Sequence, residues 1–284
     1  MTSPADTQPQ ELLISRVRTL CHNDPRVVAA LMYGSATKGE ADAYSDIEFV
    51  IFLDDRAVGT FDRVAWIEQV AHVQMHYVNE HGISDVIFEG LVRGEFHFDP
   101  VSTIQQVNTW GEAAGFPPPE AMLILDRTGQ LLPLLEHISG PGPDRTVLER
   151  VTWEWRAFLN WHLFGASVLA RGERARALEI LNIAHRSLLR LARLTEGTTS
   201  HWQTPSKGLE KDLSPDAYRR FAACTANLAP GRLERAYAAA WSWAKELARA
   251  LARTHGLDCL DGLLNELDER YAKWLNPKPQ KTIS

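Results

Sequence analysis

The chain has few cysteines and no long hydrophobic run. Its 284 residues include only three cysteines, Cys21, Cys224 and Cys259, which are far apart and form no C-x-x-C pair. This spacing indicates neither a disulfide framework nor a cysteine-based zinc site. No run of ~18 apolar residues is present to span a membrane, and the opening MTSPADTQPQ lacks the basic-then-apolar pattern of a signal peptide. These absences predict a protein of the reducing cytoplasm with no membrane partner.

The chain also lacks an excess of positive charge. Thirty Lys and Arg residues against 36 Asp and Glu residues give a formal net charge of −6 at pH 7. Proteins bind duplex nucleic acid largely by contacts of Lys and Arg with phosphates, so this composition does not indicate a nucleic-acid partner. A hydrophobic content of 45% and a charged content of 23% are typical of a globular protein, and the length allows two domains.

What the sequence does contain is an apolar run, Val27–Tyr33, that stops at Gly34 and Ser35. The pattern predicts a strand followed by a phosphate-binding turn and a short helix. Gly34 permits positive φ and lets the backbone approach a ligand closely. Free backbone N–H groups after such a turn, together with the hydroxyl of Ser35, suit an anionic oxygen. Lys38 in the same loop is in position to reach a triphosphate, or is equally well a solvated loop charge.

A second apolar run, Phe49–Leu53, begins directly after the segment Ser45-Asp46-Ile47-Glu48. Residues i and i+2 of a strand face the same side, so the carboxylates of Asp46 and Glu48 are expected to project together. Two like charges held so close are unfavourable unless a cation lies between them. Mg²⁺ binds through one or two carboxylates together with substrate phosphates, and the pattern therefore predicts a magnesium site.

The segment Leu91–Phe98 is a further strand candidate with a polar face and an apolar face. Alternation places Arg93, Glu95 and His97 on one face. The opposite, core-facing side carries Val92, Phe96 and Phe98. A carboxylate between two basic groups is a pattern found at functional sites, and it is equally compatible with a solvent-exposed strand face whose charges are balanced.

The remaining pattern divides the chain into a mixed first part and a helical second part. The segment Gly140-Pro141-Gly142-Pro143 is the clearest boundary. Before it we expect helices at Glu11–Cys21, Phe61–Asn79 and Leu131–Ile138, and strands at Val86–Phe88 and Met122–Leu125. After it, apolar residues recur at helical spacing and predict five helices in an antiparallel bundle. The expected helices are one containing Val151–His162, then Arg174–Leu194, Pro215–Leu228, one containing Leu233–Leu251, and Leu260–Trp274. Residues 1–9 and 277–284 are expected to be disordered.

The motifs also carry a family resemblance. The segments GSATKG and YSDIEF resemble the G-S-x-x-x-G…S-D-x-[DE] signature of polymerase-beta-like nucleotidyltransferases. Together with VIFEGLVRGEFHF and AMLILDRTGQL, they are similar to lincosamide nucleotidyltransferases of the LinB type. The resemblance implies an α+β fold. Residues 1–140 would form a nucleotidyltransferase domain with a mixed sheet and flanking helices, and residues 141–284 an antiparallel helical bundle that walls the substrate site.

The resemblance further implies an activity and roles for single residues. The enzyme would transfer a nucleoside monophosphate from ATP or another NTP to a hydroxyl of lincomycin or clindamycin, and so inactivate the antibiotic. Asp46 and Glu48 would hold Mg²⁺, and Glu95 would act either as a further ligand or as the base. The nucleotide would be bound by Gly34, Ser35, Lys38 and Ser45.

Two other functions remain open on the sequence. An aminoglycoside is a competing acceptor, although its several positive charges call for more acidic residues than the motifs supply. A regulatory or toxin–antitoxin nucleotidyltransferase that acts on protein or RNA would share the same domain. The presence of all three carboxylates argues against a domain that only binds nucleotide. Self-association as a homodimer is also compatible with the sequence.

Overall fold

The chain folds as two units, Met1–Pro143 and Asp144–Ser284, in a computed structural model that describes residues 9–275. The tails that the sequence predicts to be disordered lie outside the described residues, except that Pro9 begins the first helix. The prediction of an α+β protein with a mixed sheet and a helical second part is confirmed.

A mixed six-stranded sheet is the centre of the first unit. The strands are β1 (Val27–Met32), β2 (Ile47–Leu53), β3 (Val73–Val78), β4 (Ser84–Phe88), β5 (Arg93–Pro100) and β6 (Leu123–Asp126). Their order across the sheet is β3-β4-β5-β2-β1-β6. The pair β2–β5 is parallel, and the other neighbouring pairs are antiparallel. The parallel pair therefore lies in the middle of the sheet, where both strands have partners on each side.

Helices cover both faces of this sheet. Those of the first unit are α1 (Pro9–Asn23), α2 (Arg63–Ile67), α3 (Pro119–Met122) and α4 (Leu131–Ile138), with 3₁₀ helices at Ser35–Lys38, Val58–Thr60 and Val101–Glu112. On β2, Phe49 and Ile51 join the core beneath α1 and α2, whereas Val50 and Phe52 join a second core with α4. Glu48 has the parity of the second set, so its side chain belongs to the α4 face.

The expected helix Phe61–Asn79 is wrong in its second half. The chain forms only the short helix α2 and then the edge strand β3, which pairs antiparallel with β4. The apolar residues Val70, Val73 and Tyr77 fit helical spacing, but β-branched and aromatic residues also favour a strand. The segment forms a strand because it pairs with β4, and a local sequence pattern does not reveal that pairing.

The second unit is helical throughout its described length. Its helices are α5 (Leu148–Ala170), α6 (Arg174–Glu196), α7 (Leu209–Asp212), α8 (Pro215–Ala223), α9 (Arg232–His255) and α10 (Asp261–Trp274). The hydroxyl of Ser214 accepts from the backbone N–H of Ala217 and caps α8, with Pro215 at the first helical position, as the sequence predicts. None of the helices in residues 9–275 is long and apolar enough to cross a membrane. All three cysteines are free and buried.

Two buried histidines should make the second unit sensitive to acid. Burial lowers the pKa of His162 to about 4, although its hydrogen bond to the carbonyl of Tyr237 opposes the shift, and burial likewise lowers the pKa of His185 to about 4. The unfolded chain then binds more protons than the folded chain between pH 6.5 and 4, so stability falls as pH decreases through this range. Each histidine contributes on the order of 3 kcal/mol to this loss.

The measurement is the melting temperature of wild type, His162→Gln and His81→Gln between pH 7 and 4.5. The slope against pH should be shallower for His162→Gln and unchanged for the exposed control His81→Gln. Equal slopes for all three proteins would contradict a buried neutral His162.

Candidate active site

The turn after β1 is shaped to receive the side chain of Glu48. Gly34 has φ 78° and ψ −155°, a combination that is essentially restricted to glycine. A Cβ atom built on Gly34 would lie 1.4 Å from Oε2 of Glu48. The backbone of Tyr33 also donates to the carbonyl of Glu48, at 3.1 Å. Gly34 therefore serves two purposes, because it permits the turn and leaves the space that the Glu48 carboxylate occupies.

The three carboxylates expected from the sequence come from neighbouring strands. In the parallel pair β2–β5, Glu48 lies directly opposite Glu95. Asp46 precedes β2 by one residue and lies on the Glu48 side of the chain. Asp46 and Glu95 both contact the same guanidinium, that of Arg93. The structure thus places Asp46, Glu48 and Glu95 at one end of the central strand pair.

Arg93 is bound by three carboxylates at this place. Its Nη1 donates to Oδ2 of Asp46 at 2.5 Å, and its Nη2 donates to Oδ1 of Asp85 at 3.3 Å and to Oε1 of Glu95. Burial by itself lowers the pKa of Arg93, but the bond to Glu95 and the charges of Asp46 and Asp85 outweigh it, so the pKa is raised overall. Arg93 therefore stays positively charged beside these carboxylates.

Asp85 is a fourth carboxylate that the sequence interpretation missed. It lies opposite Glu95 in the β4–β5 ladder and opposite Tyr77 in the β3–β4 ladder. Asp85 is buried, and its Oδ2 accepts from the side-chain amide of Asn79 at 2.9 Å. Its hydrogen bond with Tyr77 raises the pKa of that phenol. The sequence did contain a signal for Asp85. Successive side chains of a strand face opposite sides, so Asp85 lies on the polar face because its neighbour Val86 is apolar.

Tyr33 and His97 form the inner side of the cluster. The hydroxyl of Tyr33 lies 2.9 Å from Nε2 of His97 and 3.4 Å from Oε2 of Glu95. Burial, followed by the negative charges of Glu48 and Glu95, raises the pKa of Tyr33. Burial lowers the pKa of His97, and the nearby acidic residues oppose that shift only in part. Both groups therefore favour their neutral forms beside Glu95.

The residues expected to bind nucleotide lie on the loop between β1 and β2. Ser35 and Lys38 are the first and last residues of the 3₁₀ helix, and Lys38 is exposed. The hydroxyl of Ser45 instead bonds within the loop, since it accepts from the backbone N–H of Asp42 at 2.9 Å and donates to the Asp42 carboxylate at 3.2 Å. The structure therefore places Ser45 where it shapes the loop that precedes Asp46.

A buried glutamine from α1 also holds this loop. The side-chain amide of Gln10 donates to the carbonyls of Ala43, at 2.9 Å, and Ser45, at 3.1 Å. No sequence motif pointed to Gln10, because the contact joins residues more than 30 positions apart. The amide fixes the backbone immediately before Asp46.

The carboxylates have the chemistry of a site for a hard cation. Within residues 9–275, no three or more His, Cys, Asp or Glu side chains form a group that could hold a metal ion as they stand. The oxygen ligands of Asp46, Glu48 and Glu95 nevertheless match the preference of Mg²⁺. Arg93 shows that this position accepts a cation, because its guanidinium contacts two of the three. The ligand chemistry of these residues therefore suits Mg²⁺.

Replacing Gly34 should disrupt the site more than replacing another positive-φ glycine of the same loop. Gly34→Ala puts a methyl group into the space of the Glu48 carboxylate, and we expect it to displace that side chain and cost about 1–3 kcal/mol of stability. Gly39→Ala is the matched control, since Gly39 has φ 70° but nothing within 4 Å of its would-be Cβ.

Melting temperature and nucleotidyl transfer are the two measurements. Both variants should lose stability, and only Gly34→Ala should also lose transfer. Equal transfer by the two variants would show that the Gly34–Glu48 contact is not needed for function.

Comparison with known proteins shows which families and structures this chain is similar to. Residues 148–270 match the family model described as "Lincosamide nucleotidyltransferase-like, C-terminal domain". No curated protein sequence matches the chain.

Two solved structures are similar in outline. One is an aminoglycoside 6-adenyltransferase from Bacillus subtilis. The match covers 96% of this chain and 100% of that chain, at 14% identity and a TM-score of 0.42. The other is a nucleotidyltransferase-like protein from Exiguobacterium sibiricum 255-15. The match covers 86% of this chain and 77% of that chain, at 13% identity and a TM-score of 0.36. Similarity at this level does not bear on the substrate of this chain. The match of residues 148–270 agrees with the predicted resemblance: this part of the helical unit is similar to a lincosamide nucleotidyltransferase-like C-terminal domain.

Proposed function

We propose that this enzyme transfers a nucleoside monophosphate from an NTP to a hydroxyl of a lincosamide antibiotic and releases pyrophosphate. The main support is the position of Glu48 directly opposite Glu95 on adjacent parallel strands, with Gly34 against Glu48. The family of the helical unit supports the acceptor class. This reaction needs a carboxylate that binds a cation and a carboxylate that accepts a proton, and we assign these roles to Glu48 and Glu95.

The chemical step is a displacement at the α-phosphorus. The acceptor oxygen forms a bond to this phosphorus, the bond from phosphorus to the bridging oxygen breaks, and pyrophosphate leaves with that electron pair. Glu95 takes the proton of the acceptor hydroxyl, a role that typically contributes ~10²–10⁴-fold. Glu95 is a suitable base because its side chain is only partly exposed and lies next to the neutral groups Tyr33 and His97.

The nucleotide is held by the loop between β1 and β2 together with the carboxylates. The turn at Gly34 and Ser35 seats the phosphates, and Lys38 adds a positive charge. Ser45 acts through the loop, where it keeps Asp46 in place. Asp46 and Glu48 would hold Mg²⁺, which supplies neutralisation of the triphosphate charge when it is bound.

A labelling assay tests the proposal. The purified protein is incubated with each of the four α-³²P-labelled NTPs, Mg²⁺, and either lincomycin, clindamycin or the aminoglycoside kanamycin. We expect the label on a lincosamide, and a mass increase of one nucleoside monophosphate. Glu95→Gln protein at the same concentration is the control for a contaminating transferase.

Other outcomes would select another function. Label on kanamycin alone would replace the acceptor, and label on added RNA or on protein would favour the regulatory or toxin–antitoxin reading. No labelled product with any of these acceptors would overturn the proposal. Formation of a homodimer stays a prediction, and light scattering of the purified protein measures it.

A further inference from the structure

The guanidinium of Arg93 lies between two carboxylates of the candidate site. Its guanidinium contacts Asp46 through Nη1 and Glu95 through Nη2. These two carboxylates are the residues for which cation binding and proton transfer are proposed above. A guanidinium and a divalent cation compete for the same carboxylates, because two positive charges held close together repel each other.

The contacts of Arg93 are of a kind that can be exchanged. Half of its side chain is exposed to solvent, at 50% relative accessibility, so the guanidinium can leave without entering the core. Asp85, its third partner, keeps the amide of Asn79 and the phenol of Tyr77 when Arg93 departs. Loss of Arg93 from the site therefore leaves no buried carboxylate without a partner.

We propose that Arg93 is an exchangeable counter-ion: it neutralises Asp46 and Glu95 when no metal is bound, and it moves to the nucleotide phosphates when a divalent cation takes its place. This inference rests on the proposed function. A guanidinium presents paired N–H donors that match phosphate oxygens. The exchange lets the carboxylates remain charged and close together in both states.

The first test measures binding of Mn²⁺ alone, by electron paramagnetic resonance of the free ion. If Arg93 occupies the site in about nine of ten unliganded molecules, removing it raises the apparent affinity roughly tenfold. We expect this increase for Arg93→Met and a smaller one for Arg93→Lys, which keeps the charge but cannot bridge several carboxylates. Arg56→Met is the matched control, because Arg56 pairs with Asp54 and is exposed.

The second test measures stability without metal. Arg93→Met leaves Asp46 and Glu95 facing each other without a counter-ion, so its melting temperature in EDTA should be lower than that of wild type. Mn²⁺ should restore more of the melting temperature in Arg93→Met than it adds to wild type. Arg93→Lys keeps the test valid if Arg93→Met does not fold.

The third test uses the non-transferable α,β-methylene analogue of the NTP that the labelling assay selects. With Mg²⁺ present, Arg93→Met should bind this analogue roughly 10- to 100-fold more weakly, the loss expected for one charged hydrogen-bonding group. Tighter Mn²⁺ binding together with weaker nucleotide binding is a pair of opposite effects that a purely structural residue would not produce.

The outcomes separate this inference from the proposed function. Unchanged or weaker Mn²⁺ binding by folded Arg93→Met and Arg93→Lys would overturn the exchange and leave the transfer reaction standing. No Mn²⁺ binding by wild type or by the variants would overturn the metal site and the exchange together. Transfer to an acceptor other than a lincosamide would change the substrate and leave the exchange intact.

Discussion

Replacing Glu48 by glutamine should abolish nucleotidyl transfer while the fold survives. The amide has the shape of the carboxylate and can occupy the space beside Gly34, but it lacks the negative charge that binds a cation. Removal of one preorganised group that stabilises developing charge typically costs about 10²–10³-fold, and we expect at least this reduction in kcat. Asp46→Asn should have a similar effect for the same reason.

The measurement is the initial rate of labelled product together with the melting temperature. Glu89→Gln is the control, since it makes the same change of charge at an exposed position of the turn between β4 and β5. If Glu48→Gln or Asp46→Asn kept near-normal turnover, its assignment as a metal ligand would be wrong.

Glu95→Gln is expected to bind the nucleotide but to turn it over ~10²–10⁴-fold more slowly, because the acceptor hydroxyl loses its general base. The substitution keeps the strand and the position opposite Glu48. Single-turnover rates should show this decrease, whereas the affinity for the nucleotide should not.

Affinity for Mn²⁺ then distinguishes the two roles left open for Glu95. If Glu95 is a base that does not ligate the metal, Glu95→Gln should leave this affinity unchanged, or raise it because Arg93 is held less tightly. If Glu95 is a ligand, Glu95→Gln should lower the affinity. Normal turnover by Glu95→Gln would remove the residue from the reaction altogether.

Local pattern was enough to predict the strands that carry the site. Period-two alternation along β5 correctly separated Arg93, Glu95 and His97 from the apolar residues, since each side chain of a strand is assigned to a face by its parity alone. Helical periodicity likewise predicted most of the bundle, and α4 was predicted at its observed bounds, Leu131–Ile138. It missed the short helix α7, and it extended α8 to Leu228 although this helix ends at Ala223.

Pairing between distant segments was the information that the sequence did not supply. The edge strand β3 was mistaken for helix because its partner β4 lies beyond the next turn. Asp85 was overlooked because its significance depends on the strand on either side of it. The bonds from Gln10 to the loop before Asp46 and from Arg93 to three carboxylates are tertiary contacts that no local pattern encodes.

The central parallel pair has a consequence for how such an enzyme can diversify. Because Glu48 and Glu95 occupy matching rungs of β2 and β5, their backbones are separated by the ordinary spacing of a sheet, about 4.8 Å. Connecting segments elsewhere are then free to lengthen, shorten or exchange charge while that interval stays fixed. A different acceptor could then be accommodated by changes in those segments without moving the two carboxylate-bearing backbones apart.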